Sequence, residues 1–412
     1  TYTGRYDNFK ASGTHKVLLS GLGAQEISFE DASNTYSHFN ILEITNPDPK
    51  QITFSPCWPA LVYSDAGPPL GDVNIGGVDF VLSKDLTITP SEESVFQLYG
   101  AMLDLNGHTL TVEGDLVHSG GVLNVNGGKL IVKGDYRIQK ENADGSSTYG
   151  NGQLKMINKL DHIIVEGNFV MDSSGSHDGK LTAGTLELKG NFIQKSTYTG
   201  RYDNFKASGT HKVLLSGSNP QEISFTDASN TYSHFNILEI TNPDAKQITF
   251  SPCWPALVYS GETLTLGNIT IGAVDFVVPA NRTLTIEGNL IHPSGLLNMN
   301  RGKLIVKGDY RIQKENADGS YTYSGGFLKM VNETDHVVVE GDFITDSSSS
   351  YDGRLTAGTL ELKGNFIQKS TYTGRYDNFK ASGTHKVLLS GLGAQEISFE
   401  DASNTYSHFN IL

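Results

Sequence analysis

The chain has 412 residues, 37% of them apolar and 18% charged, with 45 glycines. Ordinary globular chains are about 45–50% apolar and about 25% charged, so this composition favours short strands and many turns over helices. The formal charge of −14, from 31 basic and 45 acidic residues, offers no basic footprint for nucleic acid, and no apolar run reaches the ~20 residues of a membrane helix; neither a nucleic-acid partner nor a transmembrane segment is expected.

Repetition dominates the chain. The string TYTGRYDNFKASGTHKVLLSG opens at Thr1, restarts at Thr197 and returns at Thr371. The sequence therefore divides into one unit at 1–196, a second at 197–370 and the start of a third at 371–412. Phe409-Asn-Ile-Leu412 stops inside a stretch that earlier continues as Glu43-Ile44-Thr45-Asn46. The sequence thus reads as a window on a longer array.

A shorter period lies within each unit. Leu103-x-Leu105-Asn-Gly-x-x-Leu110-x-Val112-x-Gly114-Asp115-Leu116 recurs twenty residues on as Leu123-x-Val125-Asn-Gly-x-x-Leu130-x-Val132-x-Gly134-Asp135-Tyr136. Its close returns at Gly167-Asn168-Phe169 and Gly190-Asn191-Phe192, and in the second unit around Gly288, Gly308, Gly341 and Gly364. Apolar and polar residues alternate over a few positions before each Gly-Asp or Gly-Asn turn, which is strand periodicity with turn punctuation. The expected fold is all-β, a right-handed parallel β-solenoid (β-helix) of about 17–18 coils of 20–24 residues. Leu105, Leu110, Val112 and Leu116 should face inward, with Asn106 stacked over Asn126 as an Asn ladder.

The two units differ by 22 residues, and the difference falls between Phe80 and Gly134. The first unit has Leu86-Thr87-Ile88 and Leu110-Thr111-Val112 where the second has a single Leu284-Thr285-Ile286. A solenoid tolerates one coil more or less, because each coil touches only its neighbours.

Long insertions follow the Gly-[Asp/Asn]-aromatic corner: 139–152, 172–179 and 195–204, with counterparts at 313–326, 346–353 and 369–378. They carry Tyr149, Tyr198, Tyr202, Tyr321, Tyr323, Tyr351, Tyr372 and Tyr376 among Ser, Asp and Asn. Tyrosines among small polar residues suit a contact face for sugars or for protein; the alternative is that the loops only cover the strands. The column Asp115, Asp135, Asn168, Asn191, repeated as Asn289, Asp309, Asp342, Asn365, resembles stacked carboxylates. Copied together with the scaffold, it reads as turn chemistry, with residues that tolerate left-handed backbone and bond locally.

None of the twelve histidines has metal-ligand spacing, and each is expected at a strand edge or turn. Cys57 and Cys253 lie in matching Ser-Pro-Cys-Trp segments, about eight coils and on the order of 40 Å apart in a stack. That is far beyond the ~7 Å a disulfide allows, so buried free thiols are expected, with cross-links between molecules as the alternative. No catalytic motif, cofactor or metal site is expected.

Three strings, Phe205-Lys-Ala-Ser-Gly-Thr-His-Lys-Val-Leu-Leu-Ser-Gly, Leu186-Glu-Leu-Lys-Gly-Asn-Phe and Phe235-Asn-Ile-Leu-Glu-Ile-Thr-Asn, resemble segments of long repeat-rich surface proteins of Gram-positive bacteria. The organisation is also similar to haemagglutinin-type adhesins. The resemblance implies secretion to the cell surface, a fibre-like shape and attachment, and supplies no catalytic residues. The resulting expectation is a structural or adhesive extracellular protein that contacts copies of itself and polymerises end to end, or alternatively a polysaccharide-binding module using the loop tyrosines.

Overall fold

The alternation of Leu110-Thr-Val112 is realised as the strand Thr109–Val112, with Leu110 and Val112 wholly buried and both threonines half-buried. The computed structural model describes residues 6–64, 69–92 and 94–412. Among these, the only helical segments are the three-residue turns Pro49–Gln51 and Ala245–Gln247, and no helix is long and apolar enough to cross a membrane. The chain is a parallel β-solenoid of about 16 turns. It divides into two compact units, Thr1–Gly217 and Ser218–Leu412, a boundary that lies inside the sequence repeat opening at Thr197.

In the first unit, one face stacks the strands Leu86–Ile88, Thr109–Val112, Lys129–Val132, His162–Val165, Thr185–Leu188 and Lys212–Leu215. Their register places Leu86, Leu110, Leu130, Ile163, Leu186 and Val213 in one buried column. A second face stacks Phe96, Leu116, Tyr136, Phe169 and Phe192. The second unit repeats both columns as Leu264, Leu284, Leu304, Val337, Leu360, Val387 and as Ile269, Leu290, Tyr310, Phe343, Phe366, Ile397. Each fully buried side chain of this size contributes roughly 1.5–3 kcal/mol, and the gain is realised only against the coil above and below.

The count of 17–18 coils is slightly high because coil length varies. Register partners are 20 residues apart from Leu110 to Leu130 but 33 apart from Leu130 to Ile163. The extra residues form loops, so they lengthen the chain without adding rungs. The additional coil of the first unit is present. Three rungs, at Asn74–Ile75, Phe96 and Leu116, separate strand Ile52–Ser55 from Tyr136. In the second unit only two, at Ile269–Thr270 and Leu290–Ile291, separate Thr249–Ser251 from Tyr310.

The Asn ladder does not form. Asn106 and Asn126 adopt left-handed backbone (φ 48° and 47°), each followed by a left-handed glycine, as two-residue Asn-Gly turns require. Each side chain reaches back to the preceding coil. Asn106 Nδ2 donates to the Leu82 carbonyl at 3.1 Å, and Asn126 Nδ2 donates to the Asp104 carboxylate at 3.0 Å, a charged acceptor that outcompetes another amide. In the second unit the same turn is Asn300-Arg301, with Arg301 at φ 66° where the first unit has Gly127 at 77°. Left-handed backbone costs a side-chain-bearing residue about 1–2 kcal/mol. Arg301 is exposed, and its amide donates to Asp335 as that of Gly127 donates to Asp161. Arg301→Gly should therefore raise stability by about 1 kcal/mol, read as an upward shift of the urea midpoint.

Candidate functional site

The insertions lie on one another within each unit, tied by their own side chains. Thr197 donates through N–H and Oγ1 to the buried carboxylate of Asp172, at 3.2 and 2.7 Å, and Ser176 Oγ donates to Asp203 at 2.7 Å. The second unit repeats the first contact between Thr371 and Asp346, at 3.1 and 2.7 Å. This scaffold brings tyrosines into surface pairs, in which Tyr372 and Tyr376 are half-buried and their partners exposed. Tyr149 and Tyr198 have ring centroids 5.0 Å apart, as do Tyr323 and Tyr372. Tyr376 pairs with Tyr406 at 5.3 Å, and Tyr6 pairs with Tyr36 at 5.2 Å. Tyr202 is exposed. Tyr321 lies apart from the pairs, half-buried beneath the Arg311 guanidinium at 4.6 Å.

Tyr351 is not on the contact face. It is wholly buried, and its hydroxyl accepts the Leu328 N–H at 3.1 Å. The matching residue of the first unit, His177, is equally buried, and its Nε2 accepts the Leu154 N–H at 3.0 Å. Beside the insertions, Leu154, Met156, Leu181 and Phe205 in the first unit and Leu328, Met330, Leu355 and Phe379 in the second are buried; Phe205 packs on Phe169 and Phe192 and Phe379 on Phe343 and Phe366, so these residues extend the solenoid core.

The histidines His177, His211, His292 and His385 lie at turns or strand ends, as expected, while His118 lies within the strand Leu116–Asn124. His118, His177, His211, His292 and His385 are buried. Burial, which disfavours the charged imidazolium, pushes His118, His292 and His385 down to about 4 and His177 and His211 down to about 3. His118 and His292 contact the hydroxyls of Tyr136 and Tyr310 at 3.1 and 3.0 Å. His211 and His385 have no hydrogen-bond partner for either ring nitrogen and pack edge-on against Phe205 and Phe379.

The Asp/Asn column is an inter-coil ladder. Asp115 Oδ1 accepts the Asp135 N–H at 2.8 Å, Asp135 Oδ1 accepts that of Asn168 at 2.7 Å, and Asn168 Oδ1 accepts that of Asn191 at 3.1 Å. In the second unit the series runs Asn268, Asn289, Asp309, Asp342, Asn365, Glu396, with steps of 2.7–2.9 Å. None of the accepting residues has left-handed backbone. The side chains bond to the next coil, not locally, because the strands above and below offer N–H groups at the sheet spacing of about 4.8 Å. The column is scaffold chemistry, by a different mechanism from the turn preference.

The thiols are both free and buried. Cys253 Sγ donates to the Gly272 carbonyl at 2.9 Å, and burial raises its pKa to about 11, which keeps it in the unreactive thiol form.

A groove of about 530 Å³ opens on the second unit. Phe250, stacked on buried Trp254 with centroids 3.9 Å apart, lines it together with Tyr321, Asn268, Asn289, Lys246 and Glu315. No signal in the periodicity marks it, because it is assembled from a corner, a 3-10 turn and the hairpin Lys314–Glu315/Tyr321–Thr322. Comparison with protein-family models, curated proteins and solved structures finds no match.

Proposed function

We propose that this chain is a structural and adhesive segment of an extracellular surface protein, and that its role is mechanical. The observation that carries this reading is the repetition of whole ladders. The buried columns, the Asp/Asn ladder and the paired surface tyrosines recur in both units, so what is copied is a scaffold with its outer face. In the first unit Asp161 and Asp172, buried carboxylates of the sort that acid–base catalysis employs, accept backbone or hydroxyl hydrogens of the scaffold itself. Repeated identical surfaces favour heterologous self-contacts that propagate, and rigid aromatic rings give large contact area at low entropy cost.

Electron microscopy and sedimentation of the purified chain test the self-association. Filaments or higher oligomers that disperse on Tyr149→Ala/Tyr198→Ala and Tyr323→Ala/Tyr372→Ala are expected; monomers at high concentration would remove it. The surface tyrosine pairs also support a second reading, retention on polysaccharide. Pull-down on cellulose, pectin and peptidoglycan, with the same variants, discriminates the two.

A further inference from the structure

We propose that the groove of the second unit is a binding site for an uncharged saccharide chain; this rests on the polysaccharide-binding reading but moves the site away from the paired tyrosines. The groove is built by differences between the units. With one rung fewer between Thr249–Ser251 and Tyr310, the hairpin that carries Tyr321 stands about 4.8 Å nearer to Phe250 than its counterpart stands to Phe54. Three lining residues change with it. Asn268 replaces Asp72, Asn289 replaces Asp115 and Tyr321 replaces Ser147. The changes remove two negative charges and add an aromatic face.

They also rearrange the ion pairs. In the first unit Arg137 is held by Asp115, Asp135 and Glu141 at 2.9–3.0 Å. In the second, Arg311 keeps Asp309 at 2.7 Å and lies over the Tyr321 ring. Glu315 has no ion-pair partner among the described residues, and neither has Lys246. The amides of Asn268 and Asn289 present Nδ2 donors, since only their Oδ1 atoms serve the ladder.

The lining therefore offers three aromatic residues, Phe250, Trp254 and Tyr321, with two amide donors, one cation and one anion, and no net charge. Sugars present an apolar C–H face to an aromatic ring and hydroxyls that both donate and accept, and this set meets both needs. An acidic polysaccharide is disfavoured by the overall charge of −14. The volume lies within the roughly 300–1,000 Å³ of small-ligand sites, room for a short segment of a longer chain.

The test is affinity electrophoresis of the full chain in native gels containing hydroxyethylcellulose, arabinoxylan or galactomannan, with Trp fluorescence as a second readout because Trp254 underlies Phe250. Retardation in at least one gel is expected. It should fall at least tenfold, as a dissociation constant, in the variant Tyr321→Ser/Asn289→Asp, which restores residues that the first unit accommodates at the same places. Tyr149→Ala/Tyr198→Ala should leave it unchanged. Retardation that survives Tyr321→Ser/Asn289→Asp and is lost with the loop tyrosines overturns the groove while keeping saccharide binding. No retardation in any gel, with unchanged fluorescence, overturns both.

Discussion

Gly190→Ala should destabilise the first unit by about 3 kcal/mol or more. A Cβ at Gly190 would stand 2.2 Å from the Gly167 carbonyl oxygen and 2.6 Å from its carbon. Both are backbone atoms of the next coil, so no rotamer change relieves the overlap. Gly190 does not have left-handed backbone; the cost is steric. Relief requires the coils to separate beyond the ~4.8 Å strand spacing, which stretches the bond from Asn191 N–H to Asn168 Oδ1. Gly364→Ala tests the same point in the second unit, where the Gly341 carbonyl oxygen would be 2.2 Å away. Gly145→Ala is the contrast. That glycine is left-handed (φ 81°) with nothing within 4 Å of a Cβ, so only conformational strain of about 1–2 kcal/mol applies. Urea unfolding of the three variants checks the ranking. Equal losses at Gly190 and Gly145 would show that the corner is not tightly interlocked.

The columns were legible because a half-buried strand writes its inward positions into every second residue. Leu110, Leu130 and Leu284 are found where the alternation places them, and the additional coil could be located because Leu86-Thr87-Ile88 and Leu110-Thr111-Val112 face a single Leu284-Thr285-Ile286. The Gly-Asp corner was legible as a turn but not as a ladder. Whether Asp135 bonds to its own turn or to Asn168, thirty-three residues on, depends on how the coils stack. The insertions were the least legible. Tyr351 lies in a loop as polar as that of Tyr149, yet its side chain is wholly buried against the Phe379 ring. The signal was its exchange with His177 between units, since both can accept a backbone N–H from within an apolar site. The groove was hidden for a related reason. Asp72 and Ser147 are 75 residues apart in the first unit, their counterparts Asn268 and Tyr321 are 53 apart in the second, and the two substitutions acquire a joint meaning only once one rung has been removed.

Acidification from pH 7.5 to 5 should destabilise the chain strongly, and the first unit more than the second. An imidazole whose folded pKa is depressed refuses a proton that the unfolded chain accepts near pH 6.5. Its stabilising effect is therefore complete above about pH 6.5 and is lost as pH falls from there towards the folded value, about 4 for His118, His292 and His385 and about 3 for His177 and His211. Within that window each such histidine contributes a slope of about 1.4 kcal/mol per pH unit, so by pH 5 each has withdrawn roughly 2 kcal/mol. Three lie in the first unit and two in the second, giving on the order of 6 and 4 kcal/mol, comparable with the 5–15 kcal/mol stability of whole domains. Carboxylates with lowered values, such as Glu166 and Glu361, lose their contribution only below their unfolded value near 4.5, so the window from about pH 4.5 to 6.5 belongs to the histidines. Urea midpoints across this range measure the slope. His177→Tyr, which installs the residue that the second unit uses at the equivalent place, should remove one proton from the uptake on unfolding and flatten the slope by about 1.4 kcal/mol per pH unit. A slope unchanged by that substitution would mean that His177 is protonated inside the fold and that its imidazole is not shut away from water.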